Sequence, residues 1–363
     1  MLKYVSDNIK NLVPYSPGKP IEELERELGI KGAIKLASNE NPLGPSRKAI
    51  EAIERYLGRV HRYPDGGGFY LRGAIAKKWG VSPDAVVLGN GSNEIIELLI
   101  RTFVSPGDNA VVSENTFSVY SLIMTAANGT VITVPMKDGR YHIEKMAGSI
   151  APKTRLVFIS NPNNPTGTIV MAEEVKDFMK SIPEDVLVVF DEAYAEYVTS
   201  NQYPESLAYM KEGRNVVILR TFSKIYGLAG LRIGYGLMKM EIADMLNRVR
   251  QPFNTNALAQ SAALAALEDT LHVEESRRVN NEGKGLLYKE FDSMGIKYLP
   301  TEANFIYFQA GEDGRRIFDA MLREGIIIRH MAGPNLRVTV GLPEENKRFI
   351  EALRKILGRR IIE

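Results

Sequence analysis

The stretch VLVVFDEAYAEY, residues 186–197, decides the fold. Its first five residues are apolar without alternation, which suits a strand buried on both faces, and a carboxylate, Asp191, follows at once. The same kind of run recurs on either side: AVVL (85–88), NAVVS (109–113), TVITVP (130–135), RLVFIS (155–160), VVILR (216–220) and RIGYGL (232–237). Stretches of helical period lie between several of them, such as NEIIELLIRTF (93–103) and EEVKDFMKSI (173–182). Right-handed crossovers between parallel strands require that arrangement. The expectation is an α/β protein whose large domain carries a mostly parallel sheet flanked by helices.

Further out, SAALAALED (261–269) and a long charged segment, residues 272–294, read as helical. NFIYFQ (304–309), GIIIRH (325–330) and NLRVTV (335–340) read as strands, and RRIFDAMLRE (315–324) and EENKRFIEALRKIL (344–357) as helices. They suggest a smaller α+β C-terminal domain. The expected division is an N-terminal arm and segment joining the small domain over 1–45, a large domain over 46–250 and a small domain over 251–363.

The chain has 363 residues, 46 Lys plus Arg against 44 Asp plus Glu, 44% apolar residues and no Cys. That near-balance gives no global field for nucleic acid or an anionic membrane, so small-molecule partners are expected. Without Cys there is no disulfide framework, thiolate metal site or cysteine nucleophile. His61, His142, His272 and His330 lack metal-ligand spacing, and no metal is expected. The first twenty residues mix charge with Pro and Gly and contain no leader-like or membrane-spanning apolar run, so a cytoplasmic protein is expected.

Ligands of open parallel sheets bind beyond the carboxyl ends of the strands. Four such ends carry polar residues: Gly89 to Asn93, NPNNPTG (161–167), Asp191 to Tyr194, and Thr221 to Lys224. GNGSNE (89–94) joins a strand to a helix starting near Ser92. Its glycines and free amides would cradle a phosphate, although an ordinary turn reads the same way. It also imitates a dinucleotide site, but Glu94 stands where the third glycine belongs. Asp191, if buried, needs a cationic partner, which a protonated pyridine or an arginine could supply. Lys224 would point its amine into the same crevice, where burial lowers a lysine's pKa and frees it for imine formation, although a lysine there is commonly solvated. Thr221, Ser223 and Arg232 offer hydroxyls and a guanidinium for a phosphate; Arg232 could equally serve a surface ion pair.

In order and separation, SNPNNPTG (160–167), DEAY (191–194) and TFSKIYGLAGLRIGY (221–235) resemble the class I/II, fold type I, pyridoxal-phosphate aminotransferases. The likeness runs from NENPLGPS (39–46) and RYPDGGGFYLR (62–72) to NLRVTVG (335–341). Length, PYSPGKP (14–20) and RYPDGGG (62–68) make the chain most similar to the histidinol-phosphate aminotransferases. The resemblance implies pyridoxal phosphate held through Lys224 as a Schiff base, with Asp191 on the ring nitrogen, Asn164 and Tyr194 on the phenolic oxygen, and Phe117 stacked on the ring. For the phosphate it implies Ser92, Asn93, Thr221, Ser223, Arg232 and, from a second subunit, Tyr63, hence a homodimer. Ser92-Asn93 departs mildly from relatives that carry Asp second, which puts the side-chain role of Asn93 in doubt and leaves its amide role intact.

For substrates the resemblance implies Arg337 on a carboxylate, Arg329 on a phosphate and Tyr15 nearby; either arginine could instead make an ion pair on a strand face. The implied activity is transamination in histidine biosynthesis: L-histidinol phosphate plus 2-oxoglutarate giving imidazole-acetol phosphate plus L-glutamate. An aromatic or broad-specificity amino-acid aminotransferase, or a threonine-phosphate decarboxylase, shares the same motifs.

Overall fold

In a computed structural model the protein is described over residues 1–358. Residues 359–363, the end of the expected small domain, lie outside the described residues.

The chain opens with α1 (Asp7–Lys10), α2 (Ile21–Leu28) and a two-residue strand, β1 (Ile34–Lys35). Next come α3 (Arg47–Tyr56), begun by a Ser46 side chain that accepts from the Ala49 amide, and α4 (Phe69–Trp79). The main unit follows as β2 (Val86–Gly89), α5 (Ser92–Phe103), β3 (Asn109–Ser113), α6 (Val119–Ala126), β4 (Thr130–Val134), α7 (Ile143–Gly148) and β5 (Thr154–Ser160). It continues through α8 (Ala172–Ser181), β6 (Leu187–Asp191), α9 (Ser206–Lys211), β7 (Val216–Thr221), β8 (Gly234–Leu237) and α10 (Met240–Val249). Two more helices, α11 (Ala257–Leu267) and α12 (Thr270–Ser293), lead to β9 (Lys297–Leu299), β10 (Phe305–Gln309), α13 (Gly314–Arg323), β11 (Ile326–Ile327), β12 (Arg329–His330), β13 (Asn335–Thr339) and α14 (Pro343–Gly358).

All seven apolar runs become one sheet, ordered β2-β8-β7-β6-β5-β3-β4. Pairing is parallel from β7 through β4, and β8 alone runs antiparallel to both neighbours. Side chains alternate between two cores. Val188 and Phe190 of β6 face the core shared with α3, α4, α8 and α11, whereas Leu187 and Val189 face α5, α6 and α10. Burial on both sides is why these strands read as unbroken apolar text. Four antiparallel strands, β12-β13-β10-β9, make a second sheet over which α12, α13 and α14 pack.

Two placements follow from packing rather than from sequence. β1 pairs in parallel with β11, stitching the N-terminal segment to the C-terminal unit. α11, beyond the expected boundary at 250, buries Ala259, Ala262, Ala263 and Ala266 in the core of the large sheet. We therefore propose that the division between the units lies within the 24-residue α12. Small alanine side chains are what let α11 approach α3 closely. Among the described residues no helix is long and apolar enough to cross a membrane.

Candidate active site

The carboxyl ends of β2, β5, β6 and β7 open into one cavity of about 210 Å³. It is lined by Ser92, Asn93, Phe117, Asn164, Asp191, Tyr194, Thr221, Ser223, Lys224 and Arg232, and from the C-terminal unit and the arm by Arg329, Arg337 and Tyr15. Tyr63 does not line it; the residue is 81% exposed and its ring stacks on Phe253 at 4.7 Å. His330 is also outside, its Nε2 lying 3.1 Å from the Gly333 carbonyl.

One end of the cavity is built for an anion. Ser92 and Asn93 are the first residues of α5, so unpaired amides and the positive end of the helix dipole face inward. Glu94 reaches back to accept from the Asn90 amide (2.6 Å) and from Asn254 Nδ2 (2.6 Å). Arg232 Nη1 donates to Ser223 Oγ (3.3 Å), and Thr221 Oγ1 accepts from the Ser223 amide (3.1 Å). Two glycines leave the room. A Cβ on Gly91 would stand 2.5 Å from Arg232 Nη2, and one on Gly234 would stand 2.5 Å from the Ser92 amide nitrogen.

Asp191, last residue of β6, is 4% exposed. Its Oδ2 accepts from Tyr120 Oη at 2.7 Å, whereas Oδ1 has no partner among the described residues. Burial raises its pKa to about 6 despite the Tyr120 hydrogen bond. Leaving a buried carboxylate oxygen unpaired is costly, and a protonated ring nitrogen is a fitting partner for it.

Lys224 donates from Nζ to the Ser38 carbonyl (3.0 Å) and lies 5.6 Å from the centre of the Tyr194 ring. Burial, followed by the neighbouring positive charge of Arg337, lowers its pKa to about 8. The amine is thus far easier to deprotonate than a solvated lysine. Because the folded value is depressed, the protein with this amine free loses stability as pH falls from 10.5 through 8. Replacing the charge by Lys224→Met is expected to stabilise that form by on the order of 3 kcal/mol more at pH 7 than above pH 10.5. Denaturant unfolding across that range measures it; a gap that does not change with pH would refute the charge penalty.

The opposite end is also cationic. β12 and β13 set Arg329 directly across from Arg337, two like charges that a bare sheet would avoid. Arg337 is 7% exposed and donates to the Ala37 carbonyl (2.6 Å) and Asn164 Oδ1 (2.5 Å), with Nε unpaired. Arg329 donates to the Ser16 carbonyl (2.6 Å) and stands 5.7 Å from the Tyr15 ring centre. The lining therefore carries Lys224, Arg232, Arg329 and Arg337 against the single carboxylate of Asp191, an excess suited to anionic ligands.

Several participants escaped sequence reading. Asn39 Nδ2 donates to Tyr194 Oη (2.9 Å), Ala37 and Ser38 supply carbonyls to Arg337 and Lys224, and Tyr120 holds Asp191. Asn39 stands in the quoted NENPLGPS and could have been singled out as a polar residue in an irregular stretch. Tyr120 sits on α6, whose apolar text gives no hint of it.

Comparison with known proteins agrees with this geometry. The family described as aminotransferase class I and II matches residues 31–353. Histidinol-phosphate aminotransferase of Moorella thermoacetica is 53% identical over 96% of this chain and 92% of that protein. Histidinol-phosphate aminotransferase 1 of Nitrosococcus oceani is 48% identical, covering 96% of this chain and 95% of its own. Among solved structures, histidinol-phosphate aminotransferase from Sinorhizobium meliloti in complex with pyridoxal-5'-phosphate superposes with a TM-score of 0.90 at 29% identity, covering 98% of both chains. A cavity holding a depressed lysine, an unpaired carboxylate and a helix start is what such an enzyme requires, and the chain belongs to the class I and II aminotransferases.

Proposed function

We propose that the protein uses pyridoxal phosphate to transfer the amino group between L-histidinol phosphate and 2-oxoglutarate, yielding imidazole-acetol phosphate and L-glutamate. The observation that carries this reading is the convergence of Lys224, Asp191 and the Arg329–Arg337 pair on one cavity. The names of relatives at about half identity point to the same substrate.

The cradle of Ser92, Asn93, Thr221, Ser223 and Arg232 would hold the cofactor's phosphate, with Tyr63 of a second copy reaching it. Phe117 would cover the ring, Asp191 would meet its nitrogen, and Asn164 and Tyr194 its phenolic oxygen. When bound, pyridoxal phosphate supplies a conjugated ring that draws off the electron pair left when the substrate's Cα–H bond breaks. Asp191 supports that withdrawal by keeping a negative charge at the nitrogen. Lys224 Nζ takes the proton from the substrate's α-carbon and later returns one as an acid, a role suited to an amine with a pKa of about 8. Arg337 grips the carboxylate of glutamate or 2-oxoglutarate by a two-bond fork, and Arg329 takes the phosphate of histidinol phosphate. Tyr15 lines this end. The exposed rings of Tyr63, Phe69, Tyr70 and Phe253 support a homodimer through that face.

Single-turnover half-reactions with histidinol phosphate, phenylalanine and threonine phosphate test the substrate. Histidinol phosphate is expected to react fastest, and faster reaction with phenylalanine would overturn the assignment. Arg329→Gln should weaken histidinol phosphate roughly ten- to hundredfold, the worth of a charged hydrogen bond, and spare glutamate. Arg337→Gln should do the reverse.

A further inference from the structure

Asp191 has two carboxylate oxygens, and the fold treats them differently. Tyr120 of α6 donates its hydroxyl to Oδ2 at 2.7 Å; Oδ1 makes no side-chain hydrogen bond among the described residues, and the Ala193 amide lies close enough to favour the charged form as well. The tyrosine cannot move away easily. It is fully buried, its ring stacks on Phe158 of β5 at 4.6 Å with 9° between planes, and the edge of Phe117 meets it at 5.6 Å. Phe117 is thereby linked to the same assembly: one aromatic side chain in the cavity wall, the next behind it carrying the hydroxyl.

We propose that Tyr120 is a positioning residue for the aminotransferase reaction, its buried hydroxyl fixing the Asp191 carboxylate so that Oδ1 alone is presented to the cofactor's ring nitrogen. The proposal rests on the reading of Asp191 given above. The physical reason is that a carboxylate held by one strong donor loses rotational freedom and is favoured in its charged form, which a buried position otherwise opposes. Burial and the adjacent Asp191 charge hold the Tyr120 phenol well above its ordinary pKa, so it stays a donor. The other ionisable groups around Asp191 are Glu192 and Tyr194 just beyond β6, Tyr141, Tyr203, and Lys224 after β7. None of these makes a side-chain hydrogen bond to the Asp191 carboxylate among the described residues.

Tyr120→Phe removes the oxygen and keeps the stacked ring. In the cofactor-free protein, the Asp191 titration, followed by carboxyl ¹³C NMR and assigned with Asp191→Asn, should move up by about one to two pH units, the equivalent of a hydrogen bond to a charged group. At pH 7 the dissociation constant for pyridoxal phosphate should rise roughly tenfold, and kcat should fall while KM for glutamate stays nearly unchanged. Should Tyr120→Phe not fold, replacing Tyr120 by 3-fluorotyrosine, a stronger donor of the same shape, decides the matter: the titration should move down. An Asp191 titration that is unmoved by either change overturns the proposal. That result is distinct from failure of the functional reading, in which Asp191→Asn and Lys224→Ala would both leave transamination intact.

Discussion

Lys224→Ala should abolish transamination, with a loss of at least about 10⁴-fold in kcat, because in the proposed mechanism one amine both secures the cofactor and carries the proton. Neither duty has a substitute nearby: the other cations lining the cavity are Arg232, Arg329 and Arg337, guanidinium groups that stay protonated. Pyridoxal phosphate should still bind to the variant, since the amides of α5, Ser223 and Arg232 remain. Borohydride reduction followed by peptide mass measurement separates the two effects. The parent protein should retain the cofactor covalently at position 224, and the variant should lose it on denaturation. Covalent retention elsewhere, or activity within tenfold of the parent, would defeat the assignment of this lysine.

Asp191→Asn should lower kcat by roughly 10²- to 10⁴-fold, corresponding to about 3–5 kcal/mol for breaking a buried charge pair by removing one partner. The substitution keeps the side-chain shape and leaves an oxygen for Tyr120 to donate to, so packing should survive. In the cofactor-free protein the sign is opposite. The pKa of Asp191 is raised to about 6 by burial, so its stability contribution is complete below the ordinary carboxylate range and lost as pH rises through 6. Asp191→Asn should therefore stabilise the empty protein near pH 7 and cripple the loaded enzyme. Equal kcat in the two proteins would remove Asp191 from the mechanism.

These two residues show why much of the site is legible in a linear text. In a sheet whose strands are buried on both faces, apolar runs end where the chain leaves the core, and the next polar residue stands at the rim. Asp191 and Thr221 to Lys224 are such residues, at the carboxyl ends of β6 and β7. GNGSNE belongs to the same logic, and its Gly91, like Gly234 on β8, answers to distances that only coordinates give: the closeness of Gly91 to Arg232 and of Gly234 to the start of α5.

What stayed hidden did so for physical reasons. Tyr120 lies in VYSLIMTA, residues 119–126, where an aromatic residue on an apolar helix is indistinguishable from ordinary core. Asn39 meets Tyr194 across 155 positions of chain. α11 reads as a generic alanine-rich helix, and nothing local says which core it enters.

Taken alone, the amino-acid sequence determined the alternation of strands and helices, the strand ends that carry polar groups, and the family. Periodicity and the cost of burying polar atoms act locally, so they are written in neighbouring residues. Tertiary structure decided the antiparallel place of β8, the pairing of β1 with β11, the cross-strand apposition of Arg329 and Arg337, and the grip of Tyr120 on one oxygen of Asp191. Such contacts join residues far apart in the chain, and their energies depend on strand register and on packing to within an ångström, which no local pattern encodes.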